Sequence, residues 1–512
     1  MMVARTLSVA LLGMTGALVE VEAHIANAIP GFQLIGLPDA ALSDAKDRVK
    51  AAAANDGSPL PAKKIVVNLS PAGLPKQGTA YDLAIAVAVL AAEGVVKASA
   101  IDSVVHLGEL SLDGRVRPMS GLLPAMVAAR AAGHTRFVVP AGNAREAALV
   151  PGVEVNTVTS LREALILHGA RVPAIEVPPL VQRPAPTIET PEGDLADVVG
   201  NPDAVEALVV AAAGGHHLLL LGPPGAGKTM LAHRLPAILP DLDDEQALVA
   251  TSVSSLAGRP VEGLITRPPL ESPHHTSSAA ALVGGGSKVI RPGAAARASG
   301  GVLFLDEAPE FPAAVLDALR QPLESGSITI HRAAAVARFP ARFQLVLAAN
   351  PCPCGQFGAS DIACTCTPIA RRRYLARLSG PLLDRVDLQL RVARVTTAAV
   401  RLAADDRQGS LSTAEARSRV ERAREIAAAR LGGTGWKTNA EVPGSRLRAG
   451  AWRLPPATTA PLDRALERGT LTMRGYDRVL RVAWTLADLA GGGTPTPEHL
   501  GWALYLRRSV AT

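Results

Sequence analysis

"HHLLLLGPPGAGKTMLAHRL", His216 to Leu235, decides the fold. Leu218 to Leu221 form an apolar run too short for a helix and closed by glycine, so they read as a buried strand. Gly222, Pro223, Pro224, Gly225, Ala226, Gly227, Lys228 and Thr229 then complete G-x-x-x-x-G-K-[ST], and a helical segment follows. Glycines at these places let successive backbone N–H groups close around a phosphate at a helix N-terminus. Lys228 then reaches the β- and γ-phosphates and Thr229 faces Mg²⁺. The letters alone recur by chance. Strand, loop and helix in this order predict an ATP site in an open α/β sheet.

Two further segments fit such a sheet. "GGVLFLDEAPEF", residues 300–311, places Asp306 and Glu307 at the end of a buried strand, the edge where ligands sit. Asp306 is expected on Mg²⁺, and Glu307 as the base that polarises the attacking water. "FQLVLAAN" ends a third strand on the polar Asn350, a position from which the lytic water can be oriented.

Several blocks go beyond spacing. "SPHHTSSAAALVGGGS", "RPGAAARASGGVLFLDEAPEF", "LAANPCPCG", "LSGPLLDRVDL" and "MRGYDRVLRVAWTLADL" resemble the magnesium-chelatase-like branch of the AAA+ ATPases, and within it the ComM/YifB family. The resemblance covers nearly the whole chain. It implies that Asn350 is the first sensor, that Arg385 is an arginine finger acting on a neighbouring subunit's ATP, and that Arg474 is a second sensor on a helical lid. A finger supplied in trans implies a ring, hexameric by analogy, because it neutralises charge on the γ-phosphoryl of the adjoining subunit. The resemblance also implies pore-facing hairpins. "SGSITIHRAAAVARFPARF" fits one, with Arg332 and Arg338 placed to touch phosphates of DNA.

"GLPDAALSDAKDRVKAA", "VVNLSPAGLPKQGTAYDLAIAVAVLAA" and "LGELSLDGRVRPMSGLLPAMVAA" resemble a Lon-protease-like domain. By that resemblance a catalytic serine belongs in the turn that here reads Gly78, Thr79, Ala80, Tyr81. The lysine belongs where Leu122, Leu123 and Pro124 stand. With both missing, the domain reads as a fold reused for binding. Lys63, Lys64 and Lys76 are the lysines available to a DNA-facing surface, although solvated side chains account for them as well.

The chain's 4 cysteines, Cys352, Cys354, Cys364 and Cys366, all fall in "NPCPCGQFGASDIACTCTP", residues 350–368. Two C-x-C pairs can close a tetrahedral zinc site of four thiolates, with reduced thiols in a tight turn as the plain alternative. Scarce, clustered cysteine suits a reducing cytoplasm.

At 512 residues, two to four domains are expected. The fold class expected is α/β: a Lon-protease-like α+β domain at 1–170, a Pro-rich linker at 171–193, an AAA+ P-loop core with a parallel sheet at 194–395, and a C-terminal α-helical lid at 396–512. The last segment carries 18 Lys/Arg against 11 Asp/Glu in a chain of net charge +6, which suits a polyanion partner or simply solvated arginines. No apolar run is long enough for a membrane span. The apolar start imitates a signal peptide, but Gly13, Thr15 and Gly16 interrupt it and "ALVEVEAHI" alternates as a strand. Together these readings anticipate a cytoplasmic ring-forming ATPase that moves DNA, through branch migration of recombination intermediates. A motor that remodels a protein partner is the alternative.

Overall fold

The computed structural model describes residues 3–36, 44–76, 78–175, 177, 178, 180, 193–286, 290–332, 335–358, 364–399, 401 and 410–507. Most of the expected linker, 181–192, lies outside them.

The N-terminal apolar stretch is a strand. β1 (Val3–Leu12) pairs antiparallel with β2 (Thr15–Ala26) in unbroken register, Val3 opposite His24 and Leu12 opposite Thr15. The alternation buries Val19, Val21, Ala23 and Ile25 on one face. β3 (Gly31–Ile35), β4 (Lys64–Ser70), β5 (Val105–His106), β6 (Arg136–Pro140) and β7 (Glu154–Val158) complete a mixed sheet ordered β3-β4-β2-β1-β5-β6-β7. Helix α1 (Asp82–Glu93) is buried from Asp82 to Ala92 and stops at Gly94, whose φ of 93° suits glycine. Helix α2 (Leu122–Ala131) packs on β1 and β2.

The second sheet is wholly parallel. β8 (Leu218–Leu221), β9 (Leu270–Glu271), β10 (Val302–Leu305), β13 (Gln344–Ala349) and β14 (Leu388–Arg391) run in the order β9-β10-β13-β8-β14. Between them in sequence, β11 (Ser327–Arg332) and β12 (Ala335–Pro340) form a separate antiparallel hairpin. All four leucines of β8 are buried, as a strand covered on both faces requires, each contributing about 2 kcal/mol of apolar burial. Helix α3 (Pro202–Gly214) precedes β8, and helix α4 (Lys228–Ile238) follows it. Helix α5 (Asp244–Leu256) opens with a reciprocal cap between Asp243 and Gln246.

The C-terminal region is helical. α7 (Thr413–Leu431) opens with the Ser412–Glu415 capping box, and α9 (Pro497–Tyr505) has Thr496 as its N-cap. α6 (Pro368–Leu375) precedes them in the chain, and α8 (Met473–Leu489) lies between them. One apolar cluster runs from Leu208 and Leu220 through Val346 and Leu390 to Val420, Leu480 and Leu500. The helices are therefore bolted to the sheet by its own core. Arg424 adds a bond to the Ala212 carbonyl at 3.0 Å.

A buried charge joins the two as well. Asp387, with no exposed surface, accepts from Arg478 of α8 at 2.9 Å and from the His217 N–H at 3.1 Å. Burial opposes its charge, but Arg478 and then His216 and His217 hold its carboxyl well below the usual range.

The N-terminal sheet docks on the ATPase core through the head of α2, the Arg145–Glu262 pair and the β1–β2 turn. Gly121, at the head of α2, donates to the Ser255 carbonyl at 3.1 Å and to its hydroxyl oxygen at 2.9 Å. Buried Glu146 accepts from the Leu123 N–H at 2.9 Å and from the Ser255 hydroxyl. At the β1–β2 turn, the Met14 N–H donates to the Arg338 carbonyl of β12 at 3.2 Å.

Lys76 corrects one expectation. It is fully buried, and its ammonium donates to the carbonyls of Gly36, at 2.9 Å, and Pro71. It is part of neither a solvated nor a DNA-facing surface, because the carbonyls of the surrounding turns draw it inward. Lys63 is tied to Glu93 at 3.2 Å, and Lys64 is exposed.

Candidate functional site

The phosphate loop leaves the C-terminal end of β8 and turns into α4. Gly222 lies so close to the Val392 carbonyl that a methyl group would collide with it. Gly227, at φ 88°, takes the left-handed turn that starts α4. Lys228 is buried, and its ammonium donates to the carbonyls of Gly222 at 2.7 Å and Pro223 at 3.0 Å. Its third bond goes to Oδ1 of Asn350 at 3.0 Å. Burial lowers its pKa, and Asp306 and Glu307 oppose that shift. All three of its bonds therefore stay within the phosphate loop and the adjoining end of β13.

β10 delivers the acidic pair beside it. Oδ2 of Asp306 accepts from the Thr229 hydroxyl at 2.7 Å, which brings together the two expected Mg²⁺ ligands. Oδ1 of Asp306 accepts from the Glu307 N–H at 2.9 Å. Glu307 is the one non-glycine residue with positive φ among the described residues, at 49°. Such a conformation is disfavoured for a side chain and aims the carboxylate out of the strand line. His275 Nδ1 lies 3.5 Å from Oε2 of Glu307.

The structure thus gathers Lys228, Thr229, Asp306, Glu307 and Asn350, drawn from three strand ends. The two arginines are placed differently. Arg385 is buried against its own subunit, paired with Glu324 and bonded to the Pro381 carbonyl, with Nε unpartnered. Arg474 is exposed at the start of α8 and makes no hydrogen bond or ion pair among the described residues. Its neighbour Gly475 shares a cavity of about 1280 Å³ with Gly222, Pro223, Phe357, Arg372 and Val395. That exceeds the roughly 300–1,000 Å³ of ordinary small-ligand pockets, and the lining takes in the first two residues of the phosphate loop but not Lys228, Thr229, Asp306 or Glu307.

The cysteine loop forms one wall of this cavity. The four Sγ atoms lie within 4.8 Å of one another. Cys352 is 3.3 Å from Cys354 and 3.6 Å from Cys364, and Cys354 is 3.6 Å from Cys364. These distances are too long for disulfides and near the roughly 3.8 Å between thiolates around tetrahedral zinc, so the donor set fits a metal. The Gln356 N–H pulls the Cys354 thiol down to about 6, while burial pushes Cys352 up. Gly355, at φ 77°, packs on the phosphate loop. A methyl group there would sit 2.6 Å from Cδ of Pro224. Phe357 is covered by the Arg371 guanidinium at 3.9 Å from the ring centre.

β11 and β12 make the expected hairpin, with Arg332 and Arg338 exposed. Arg332 donates to the Gly286 carbonyl of a second, Gly-rich hairpin that carries exposed Arg291. In the N-terminal domain the Thr79 hydroxyl donates to Glu109, while Leu122 and Leu123 are fully buried. The Thr6 hydroxyl meets Nδ1 of His106 at 2.7 Å, but both side chains are wholly buried, and neither position expected of a serine–lysine dyad carries a serine or a lysine.

Sequence reading missed three features: the His275–Glu307 contact, the Gly355–Pro224 contact and the Asp387 network. The histidine pair in "SPHHTSS" was the only advance signal. The others are meetings of distant segments.

Comparison with known proteins agrees with this geometry. The family model "Magnesium chelatase, subunit ChlI" matches residues 194–400. "Subunit ChlI of Mg-chelatase" matches 21–143, and "Magnesium chelatase, subunit ChlI C-terminal" matches 410–507. Competence protein ComM of Haemophilus influenzae is 40% identical over 98% of this chain and 96% of its own. Uncharacterized protein YifB of Escherichia coli is 38% identical over 97% and 96%. An uncharacterized Mycobacterium tuberculosis protein is 50% identical over the full length of both chains. Lon protease 2 of Bacillus subtilis is 31% identical over 19% of this chain. No helix among the described residues is long and apolar enough to cross a membrane. With an all-parallel P-loop sheet, a Lon-like N-terminal region and full-length similarity of this kind, the chain belongs to the ComM/YifB family of magnesium-chelatase-like AAA+ ATPases.

Proposed function

We propose that the chain forms a hexameric ring that hydrolyses ATP and remodels DNA, driving branch migration of recombination intermediates. The gathering of Lys228, Thr229, Asp306, Glu307 and Asn350 at adjoining strand ends carries the hydrolytic half of this reading. Lys228 exchanges its carbonyl partners for the β- and γ-phosphates. Thr229 and Asp306 hold Mg²⁺, which supplies charge neutralisation on the phosphate oxygens. Glu307 accepts the proton of the attacking water, and Asn350 orients that water beside Lys228. Arg385 acts in trans, exchanging Glu324 for a neighbour's γ-phosphate when subunits assemble. Arg474 closes over the nucleotide from α8.

The DNA half is supported by the paired hairpins, which carry exposed Arg291, Arg332 and Arg338 and meet where Arg332 bonds Gly286. It also agrees with the printed name of the Haemophilus relative, a competence protein. The reading extends to one structural zinc ion held by Cys352, Cys354, Cys364 and Cys366, which would brace the nucleotide cavity and leave no open position for water.

The test is the ATPase rate with and without single-stranded, duplex and four-way-junction DNA, with junction unwinding followed in parallel. Stimulation by junctions and ATP-dependent unwinding are expected. An ATPase indifferent to every DNA would leave the protein-remodelling alternative in its place.

A further inference from the structure

We propose that the β1–β2 turn of the N-terminal domain positions the β11–β12 hairpin for DNA, with Gly13 and Met14 laid along β12 as a short third strand. The inference rests on the reading of that hairpin as a DNA contact. Gly13 stands beside Arg338 in a parallel bridge, and the Met14 N–H donates to the Arg338 carbonyl at 3.2 Å. So close an approach requires glycine. Gly13 has φ 64°, and a methyl group there would stand 2.6 Å from the Arg338 carbonyl oxygen and 2.8 Å from its nitrogen. The Met14 side chain packs on the apolar cluster that contains Ile328, Ala337 and Phe339 of the hairpin.

The hairpin needs such support. It is a two-stranded sheet of its own, outside the parallel sheet, and two strands alone are marginally stable in water. Its inner face is buried through Ile328, Ala337 and Phe339, but His331, Arg332, Val336 and Arg338 are exposed. Holds are spaced along its length. At the base the Ala341 N–H donates to the Gly326 carbonyl at 2.9 Å. Near the tip Arg332 donates to the Gly286 carbonyl. The N-terminal turn grips the stretch between them. It fixes the backbone of Arg338, while the guanidinium, 3.4 Å from the Ser327 hydroxyl oxygen, stays open to solvent. A phosphate contact of that arginine then depends on where the turn holds its backbone.

The turn is itself anchored. β1 and β2 pair without a break from Val3 to Leu12, so the turn moves with its sheet. The head of α2 fixes that domain to α5 through Gly121 and Ser255. The N-terminal domain thus joins α5 to the hairpin, and takes part in DNA engagement without touching DNA itself.

The test uses the full chain carrying Gly13→Ala or Met14→Ala. Gly133→Ala is the control for strain alone, because φ there is 92° and a methyl group would meet nothing within 4 Å. Amide hydrogen exchange is read, without DNA, over residues 327–340 and over the N-terminal sheet. Gly13→Ala should speed exchange in the hairpin on the order of tenfold while the N-terminal sheet keeps its protection. Met14→Ala should act in the same direction, and Gly133→Ala should leave the hairpin as it is. Should Gly13→Ala loosen the sheet as well, Met14→Ala, which leaves the backbone of the turn unaltered, decides the point. In titrations with labelled single-stranded and four-way-junction DNA, Gly13→Ala should weaken binding about three- to tenfold and lower the salt slope by about 1, as the loss of one phosphate contact requires. Arg338→Ala should weaken binding by a similar factor alone but add little to Gly13→Ala, because the turn acts through that arginine. Unchanged hairpin exchange in both turn variants, a loosened hairpin with wild-type DNA affinity, or additive losses in the double variant G13A/R338A would each overturn the inference. A wild-type chain that binds neither DNA would overturn the DNA reading instead, and hydrogen exchange would still decide whether the turn holds the hairpin.

Discussion

Replacing Gly355 by alanine tests whether the cysteine loop sets the shape of the phosphate loop. Two costs can be read from the structure. At φ 77° a side chain is strained by about 1–2 kcal/mol. The added methyl would also stand 2.6 Å from Cδ of Pro224, where carbon contacts prefer roughly 3.5–4.0 Å, so one of the two loops must shift by about 1 Å. A displacement of that size in a catalytic loop costs on the order of a hundredfold in rate. Gly358 supplies the control. Its φ is 83°, but a methyl there would meet nothing within 4 Å. Gly358→Ala carries the same strain without the collision. In a steady-state ATPase assay, Gly355→Ala should fall about 10- to 100-fold, and Gly358→Ala should stay within about threefold of wild type. Metal content measured on both proteins separates a moved loop from a lost ion. Equal losses in the two variants, or a fully active Gly355→Ala, would refute the coupling.

Lys228→Ala should abolish nucleotide binding, whereas Glu307→Gln should bind ATP normally and stall, as read by fluorescent-nucleotide titration and phosphate release. Arg385→Ala should bind ATP and hydrolyse it poorly; mixing it with Lys228→Ala should restore some activity, and no recovery in a mixture shown to co-assemble would contradict a finger acting in trans. Cys364→Ser should lower metal content from about one zinc per subunit and reduce ATPase rate together, checked by elemental analysis. Asp387→Ala should cost about 3–5 kcal/mol in denaturant unfolding, because it strands Arg478 beside His216 and His217 without a carboxylate; a loss under 1 kcal/mol would mean that Arg478 finds water.

What could be read in the sequence was local. The strand at Leu218–Leu221 follows from four leucines cut off by glycine, and the phosphate loop from fixed spacing. Ser412 and Thr496 cap helices through bonds to residues three positions on. Asp306, Glu307 and Asn350 were visible because strand ends in a parallel sheet share one edge. What stayed hidden depends on tertiary approach. Lys76 is drawn inward by carbonyls 40 and 5 residues away. Asp387 meets Arg478 across 91 residues. The left-handed backbone of Glu307 has no glycine to announce it. Arg385 reads as a finger by resemblance, yet its resting partner, Glu324, carries no sequence mark.

The joint at the head of α2 bears on what the N-terminal domain can accommodate. A peptidase of this shape would keep its lysine near Leu123 and leave that helix end open to a peptide. Here Ser255 is bonded to Gly121, Leu256 lies against it, and Glu146 takes the Leu123 N–H. Reinstating the lysine at Leu123 would therefore place it under a neighbouring structural unit. That helix end is closed by packing as well as lacking a lysine. A substitution on an exposed face of this domain meets only solvent, whereas one at the head of α2 is answerable to the motor on which the domain is mounted.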